Sequence, residues 1–212
     1  MTRPLAILGG TFDPVHIGHL RVAWEASLLL DADVRMVPAR VPPHRDQPVA
    51  SPEQRVAILR AALRGQDRLV IDERELHREG PSWTIDTLIG LRSEIGESRP
   101  LVLLVGADAW TGLPTWHRWR ELFAFAHIGV LTRAGSAIVE SVLLQEESCA
   151  RRVTDPARLR TSPAGWVIDL AVSALEVSAT RIRAELAAGI EPRYLVSDAV
   201  LADAGLLAPY RR

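Results

Sequence analysis

Lysine is absent from this chain of 212 residues, and cysteine occurs once, at Cys149. A single cysteine excludes an intrachain disulfide and a cysteine metal cluster. Because every basic residue is an arginine, a site that needs positive charge must take it from a guanidinium. No apolar run approaches the ~20 residues that span a bilayer, and the formal net charge of -1 indicates no polyanion-binding surface. These absences predict a soluble, cytoplasmic protein that binds neither membrane nor nucleic acid.

Two familiar nucleotide-binding fingerprints are also missing. The chain contains no G-x-x-x-x-G-K-[ST] string, and its first glycines do not open a G-x-G-x-x-G string. A dehydrogenase that binds a dinucleotide would show the second string, with an acidic residue about 20 positions further on. Any phosphate handling in this chain must therefore rest on another arrangement.

The string GGTFDPVHIGH, residues 9–19, is the most informative stretch that is present. It follows an apolar run and opens an amphipathic one, so it lies where a first strand leads into a first helix. Gly9 and Gly10 allow the backbone to approach a ligand closely. His16 and His19 are three residues apart and share a face near the start of a helix beginning about Val15. Because helix starts leave N–H groups unpaired and carry partial positive charge, the string predicts a phosphate site.

Short apolar runs alternate with helical patterns along the rest of the chain. Six runs read as strands: residues 5–8, 34–37, 69–71, 101–105, 128–131 and 166–170. This alternation is typical of an α/β fold, a Rossmann-like doubly wound parallel sheet covered on both faces. Residues 51–54, SPEQ, predict a capped helix start. Residues 134–164 show only a helical pattern over 138–144 before a polar, arginine-rich stretch. Ligands of such sheets bind beyond the carboxyl ends of the strands.

A second string, VSATRIR at residues 177–183, follows the last apolar run. Ser178 is a suitable N-cap, Thr180 falls in the first turn, and Ile182 with Leu186 forms a buried stripe. Taken alone, the string indicates an ordinary capped helix at least as well as a binding site.

The H-x-G-H signature resembles the nucleotidyltransferase superfamily, and the full eleven-residue string resembles the bacterial nicotinate-nucleotide adenylyltransferases. The resemblance covers nearly the whole chain. The family marks S-Y-T-x-x-T and G-A-D-x-x-x-x-L-x-x-W match residues 82–87 and 106–116, with Trp83 in place of the tyrosine. The family string I-S-S-T-x-I-R matches residues 177–183, with valine and alanine at its first and third positions.

The resemblance implies an enzyme that transfers the adenylyl group of ATP to nicotinate mononucleotide. The products are nicotinate adenine dinucleotide and pyrophosphate, a step of NAD biosynthesis. It further implies one nucleotidyltransferase domain over residues 1–212, with a small C-terminal helical part from about 178 to 212 packed on it. A homodimer is compatible with this organisation.

Site roles also follow from the resemblance. His16 and His19 would act on the phosphates at the reacting centre, and Arg45, where the family usually has lysine, on the leaving pyrophosphate. ATP would be bound by Gly9, Gly10, Thr11, Phe12, Gly106, Asp108, Arg133, Ser178, Thr180 and Arg183. Nicotinate mononucleotide would be bound by Ser82, Thr84, Ile85, Trp116 and His117. The ring would stack on Trp116, and its carboxylate would accept backbone hydrogen bonds. No metal site made by the protein is expected, because the ATP phosphates would supply most ligands of a Mg²⁺ ion.

Three other functions fit parts of the sequence. Pantetheine-phosphate adenylyltransferases share the H-x-G-H start, but they are usually shorter and lack the segments around Ser82 and Trp116. A dinucleotide-dependent dehydrogenase would share the strand order without the histidines. A nucleotide-sensing module would keep the fold without the chemistry. Pyrophosphate release from ATP and nicotinate mononucleotide separates the enzyme from the sensor.

Overall fold

Seven strands form one sheet in a computed structural model that describes residues 3–41, 47–133, 138–173 and 175–211. The strands are β1 (Leu5–Gly10), β2 (Asp33–Pro38), β3 (Leu69–Ile71), β4 (Leu101–Gly106), β5 (His127–Thr132), β6 (Arg152–Val153) and β7 (Val167–Ala171). Their order is β3-β2-β1-β4-β5-β7-β6, and all neighbouring strands are parallel. From β1 the sheet grows in one direction through β2 and β3 and in the other from β4 onward, so the strand order reverses between β1 and β4. In sheets of this kind, ligands bind at that reversal.

Within the described residues, eight α-helices lie between the strands or follow the last one. They are α1 (Ile17–Leu29), α2 (Pro52–Ala62), α3 (Thr84–Ile95), α4 (Ala107–Thr111), α5 (Leu122–Phe125), α6 (Val142–Ser148), α7 (Ala179–Ala187) and α8 (Asp198–Leu201). The predicted capping box opens α2, because the Gln54 N–H donates to Ser51 Oγ (3.3 Å) and the Ser51 N–H donates to Gln54 Oε1 (2.9 Å). Ser178 caps α7 as predicted, accepting from the Arg181 N–H (3.2 Å).

Each face of the sheet carries its own apolar core. Side chains alternate along a strand, so Ala6 and Leu8 enter one core while Leu5 and Ile7 enter the other. The first core packs α1, α2, α7 and α8 against the sheet, and the second packs α3 to α6. This two-sided arrangement confirms the predicted Rossmann-like α/β fold.

Residues after 178 pack on the first core, through Ile182, Leu186, Val200 and Tyr210. The organisation as one domain stays a prediction. The sequence missed β6, which has only two residues, and the helix expected near residues 138–144 lies later, as α6. In the described part of the chain, no helix is both long and apolar enough to cross a membrane.

Candidate active site

A cavity of about 430 Å³ opens where β1 and β4 diverge. Segments that are far apart in the sequence line it: Gly9, Gly10 and Thr11 after β1, Ser82, Trp83 and Thr84 before and at the start of α3, Gly106 and Asp108 after β4, and Trp116 and His117 beyond α4. The structure therefore brings together most of the predicted nicotinate mononucleotide residues and half of the predicted ATP residues.

The start of α3 and two aromatic residues form one end of this cavity. Trp116 is half-buried against the second core, and the Trp83 and His117 rings lie 4.9 Å apart at 32°. No side chain caps α3, and the N–H groups of Thr84 and Ile85 find no acceptor in the part of the chain described. This end of the cavity thus offers a flat aromatic surface beside two amide donors at the positive end of a helix.

Glu75 lines the same cavity and was missed in the sequence. Its side chain is buried, and it accepts a hydrogen bond from Thr87 Oγ1 (2.6 Å). Burial raises the pKa of the Glu75 carboxyl, and the hydroxyls of Thr87 and Ser82 oppose that rise. A single acidic residue in a polar loop belongs to no periodic sequence pattern. Only the structure therefore shows that Glu75 faces the site.

The paired histidines stand at the start of α1. Their rings are stacked, with centroids 3.7 Å apart at 25°, and the His16 N–H donates to His19 Nδ1 (3.4 Å). The Phe12 ring meets His19 edge-on at 5.1 Å. Burial lowers the pKa of His16 to about 4, so its imidazole is neutral at neutral pH. The prediction that both imidazoles share a face is confirmed.

The start of α1 is less open than the sequence suggested. The helix begins at Ile17 with His16 as its N-cap, two residues later than expected. The Ile17 N–H donates to the Leu195 carbonyl (2.9 Å), so that donor is not available to a phosphate. Anion binding at this turn must rely more on side chains than the sequence implied.

Arg183 links the second motif to the first. Its Nη1 donates to the Asp13 carbonyl (2.8 Å) and its Nη2 donates to Thr180 Oγ1 (3.2 Å). Ser178 and Thr180 are exposed at the start of α7. The two strings, more than 150 residues apart in sequence, therefore meet at Asp13, three residues before His16.

Comparison with known proteins agrees with this geometry. The family model described as cytidylyltransferase-like matches residues 7–185. A relative from Dechloromonas aromatica (strain RCB), named probable nicotinate-nucleotide adenylyltransferase, is 46% identical over 205 residues, 95% of this chain and 94% of the relative. A relative of the same name from Aeromonas hydrophila subsp. hydrophila is 49% identical over 203 residues, 93% of this chain and 92% of the relative. The chain belongs to the nicotinate-nucleotide adenylyltransferase family.

A solved structure supports the fold of this family member. The Plasmodium falciparum nicotinic acid mononucleotide adenylyltransferase complexed with NaAD matches with a TM-score of 0.72, covering 99% of this chain and 96% of its own. The two sequences are 13% identical, so the likeness concerns the fold alone.

Phe12 and Arg133, which the family resemblance placed at ATP, do not line the cavity in this adenylyltransferase. The Phe12 side chain is buried beneath His19, so it supports the imidazole and does not face the cavity. Arg133 is exposed and pairs with Glu176 (2.9 Å), away from the cavity walls. Arg45 lies outside the described residues, and its role stays a prediction.

Proposed function

We propose that this adenylyltransferase binds nicotinate mononucleotide in the cavity between β1 and β4 and the ATP phosphates between the histidine pair and α7. One observation carries the proposal: a single cavity joins the glycine turn after β1 to the start of α3 and to Trp116. The turn leads directly into His16 and His19, so a substrate in the cavity can extend its phosphate toward them.

The nicotinate end of the substrate is matched by the α3 end of the cavity. The half-buried Trp116 offers a stacking surface, and the N–H groups of Thr84 and Ile85 offer donors to a carboxylate. Hydrogen bonds to a charged acceptor are about twice as strong as those between neutral groups. A nicotinamide substrate would lose that advantage, and the proposal therefore favours the acid.

The reaction is a single displacement. An oxygen of the substrate 5′-phosphate forms a bond to the α-phosphorus of ATP, and the bond from that phosphorus to the bridging oxygen of pyrophosphate breaks. Catalysis of this kind is mainly positioning and charge stabilisation. The neutral imidazole of His16 and the imidazole of His19 donate hydrogen bonds near the reacting phosphates, while Ser178, Thr180 and Arg183 hold the pyrophosphate.

Mg²⁺ would bind together with ATP. In the ranges that the structure describes, no three His, Cys, Asp or Glu side chains gather closely enough to hold a metal ion. Phosphate oxygens are ligands that Mg²⁺ prefers. The ion would therefore be held mainly by the ATP phosphates.

The deciding experiment compares three acceptors at equal concentration with ATP: nicotinate mononucleotide, nicotinamide mononucleotide and phosphopantetheine. Pyrophosphate release and the adenylylated product are both measured. The acid mononucleotide is expected to give the highest kcat/KM. A preference for phosphopantetheine would contradict the proposal, and release of no pyrophosphate with any acceptor would indicate a sensing module.

Replacing Trp116 tests the nicotinate subsite. Stacking of a ring on an aromatic side chain contributes about 1–3 kcal/mol, so Trp116→Ala should raise the KM for nicotinate mononucleotide roughly tenfold to a hundredfold. The KM for ATP should change little. Trp116→Phe keeps a flat ring and should lose much less. If the alanine variant keeps its KM for the mononucleotide, the subsite is misplaced.

A further inference from the structure

Asp13, in the turn between β1 and α1, binds groups from two other parts of the chain. Its carboxylate is buried and accepts the Val49 N–H at Oδ2 (2.8 Å) and the Ala50 N–H at Oδ1 (3.1 Å). Oδ1 also accepts the hydroxyl of Tyr210 (2.8 Å), a side chain only 3% exposed. A buried carboxylate is costly unless such donors surround it, so these bonds fix its position.

The backbone around Asp13 is held from the other side. Arg183 Nη1 donates to the Asp13 carbonyl (2.8 Å) and stands 3.9 Å from Oδ2. The guanidinium of Arg55, fully buried in α2, donates from Nη1 to the Thr11 carbonyl (2.6 Å). Side chains from α2, α7 and the segment after α8 therefore converge on one turn, which continues into His16.

The Tyr210 hydroxyl can serve only as a donor here. Its partner, the Asp13 carboxylate, accepts hydrogen bonds when ionised. Burial, with the neighbouring Asp13 charge, raises the pKa of Tyr210 above its usual range, so the hydroxyl keeps its proton at physiological pH. No other phenol of this chain is buried, since Tyr194 is 75% exposed.

We propose that Tyr210 is a positioning residue for adenylyl transfer, acting through Asp13. Its hydroxyl holds the Asp13 carboxylate in place. The fixed turn then keeps His16 and Arg183 at the relative positions in which both can bind the ATP phosphates. The inference rests on the proposed function, because it assigns those two side chains to ATP. It makes the segment after α8 part of the active-site support, although Tyr210 lines no wall of the substrate cavity.

Loss of the hydroxyl should affect the two substrates differently. In Tyr210→Phe the ring still fills the first core, but Asp13 Oδ1 loses one of its two donors. A turn that shifts slightly displaces the histidine pair from Arg183, and misplacement of about 1 Å can cost roughly a hundredfold in rate. The nicotinate end of the cavity is built from α3 and Trp116. Among the described residues, no hydrogen bond joins α3 or Trp116 to Asp13 or Tyr210.

The test measures kcat and both KM values for Tyr210→Phe, with Tyr194→Phe as the matched control and the melting temperature of each. We expect kcat/KM for ATP to fall about tenfold, equivalent to about 1.4 kcal/mol. The KM for nicotinate mononucleotide should stay within about twofold, and Tyr194→Phe should equal wild type. Unchanged kcat and unchanged KM for ATP in Tyr210→Phe would overturn the proposal, as would a rise of the KM for nicotinate mononucleotide as large as that for ATP.

A second variant covers the case in which Tyr210→Phe folds poorly. Asp13→Asn keeps the size of the side chain but replaces one acceptor oxygen by a donor. It should show the same loss of kcat/KM for ATP, with the KM for nicotinate mononucleotide within about twofold. If both residues act through one bond, the effects in the double variant are less than additive. Additive effects would overturn the inference. Wild-type enzyme that fails to adenylylate nicotinate mononucleotide would instead overturn the proposed function.

Discussion

The glycine of the H-x-G-H signature decides where the His16 imidazole can lie. A Cβ on Gly18 would stand 3.0 Å from His16 Nδ1 and 3.1 Å from its Cε1. Both distances are shorter than an ordinary contact, and the same ring is stacked on His19 at 3.7 Å. The imidazole therefore cannot make room for a methyl group without disturbing the histidine pair. Gly18 is required for packing beside the site, and its backbone does not need a positive φ.

Gly18→Ala should damage catalysis more than folding. The added methyl displaces the His16 ring, and we expect kcat to fall by about 10- to 100-fold, as for other misplaced catalytic groups. The KM for nicotinate mononucleotide should change little. Steady-state kinetics and thermal unfolding of the same preparation provide the measurement.

Gly90→Ala is the control for that experiment. Gly90 also lies in a helix, and its added Cβ would meet only Arg74 Nη1, at an ordinary 3.5 Å. Replacing glycine by alanine inside a helix stabilises by about 0.5–1 kcal/mol. This variant should remain fully active, whereas wild-type kcat in Gly18→Ala would show that the His16 position is unimportant.

A hydrogen-bond network places the start of α3 at the cavity. Thr87 Oγ1 donates to Glu75 (2.6 Å) and accepts from Arg78 Nη1 (3.2 Å). Ser82 also bonds Glu75 and accepts the Arg40 N–H (3.0 Å). One buried carboxylate thus ties both hydroxyls to the segment after β3, which sets the amide donors of α3 against the cavity.

Glu75→Gln should weaken binding of nicotinate mononucleotide specifically. The glutamine amide can accept a bond from one hydroxyl only, so the other loses its partner, at a cost of about 1–3 kcal/mol. The start of α3 then shifts. We expect the KM for the mononucleotide to rise about tenfold, with the KM for ATP within about twofold.

Glu79→Gln is the matched control, because Glu79 lies exposed in the same segment. It should leave both KM values unchanged. Isothermal titration of each substrate complements the kinetics. An effect of Glu75→Gln on ATP as large as that on the mononucleotide would mean that the network supports the whole cavity.

Local patterns predicted the elements well, and contacts between distant elements escaped them. Residues 51–54 signal a helix start that the capping box of α2 confirms, because each partner lies within one helical turn. The Tyr210 bond to Asp13 spans 197 positions, and no periodicity encodes it. The Leu195 carbonyl that occupies the first N–H of α1 is equally remote in sequence. Contacts between residues close in sequence were thus easier to predict than those between distant elements.

A cluster of four charged side chains ties the sheet to the helices on its second face. Arg35 of β2 pairs with Asp72 (3.1 Å), just after β3, and with Glu94 (2.7 Å), in the last turn of α3. Arg74 pairs with the same two carboxylates, at 2.8 and 2.5 Å. Through these pairs, the edge of the sheet and the end of α3 are held together at the opposite end of α3 from the cavity.

This cluster should make stability depend on acid. The two guanidinium groups, Arg35 first, lower the pKa of Glu94 from 4.5 to about 2. A carboxylate whose pKa is lower in the folded state stabilises fully above its unfolded pKa and loses that contribution as the pH falls toward the folded value. The contribution of Glu94 should therefore be complete above about pH 4.5 and decline toward pH 2.

Urea unfolding of wild type and Glu94→Gln between pH 6 and pH 3 measures this contribution. Glu94 is 46% exposed, so solvent screening limits the difference between the two proteins at pH 6 to about 1 kcal/mol or less. The difference should shrink as the pH falls and should also shrink at high salt. Glu97→Gln, which changes an exposed carboxylate just beyond α3, should follow wild type throughout. If Glu94→Gln is as stable as wild type at pH 6, or if its deficit grows toward pH 3, these ion pairs do not hold α3 to the sheet.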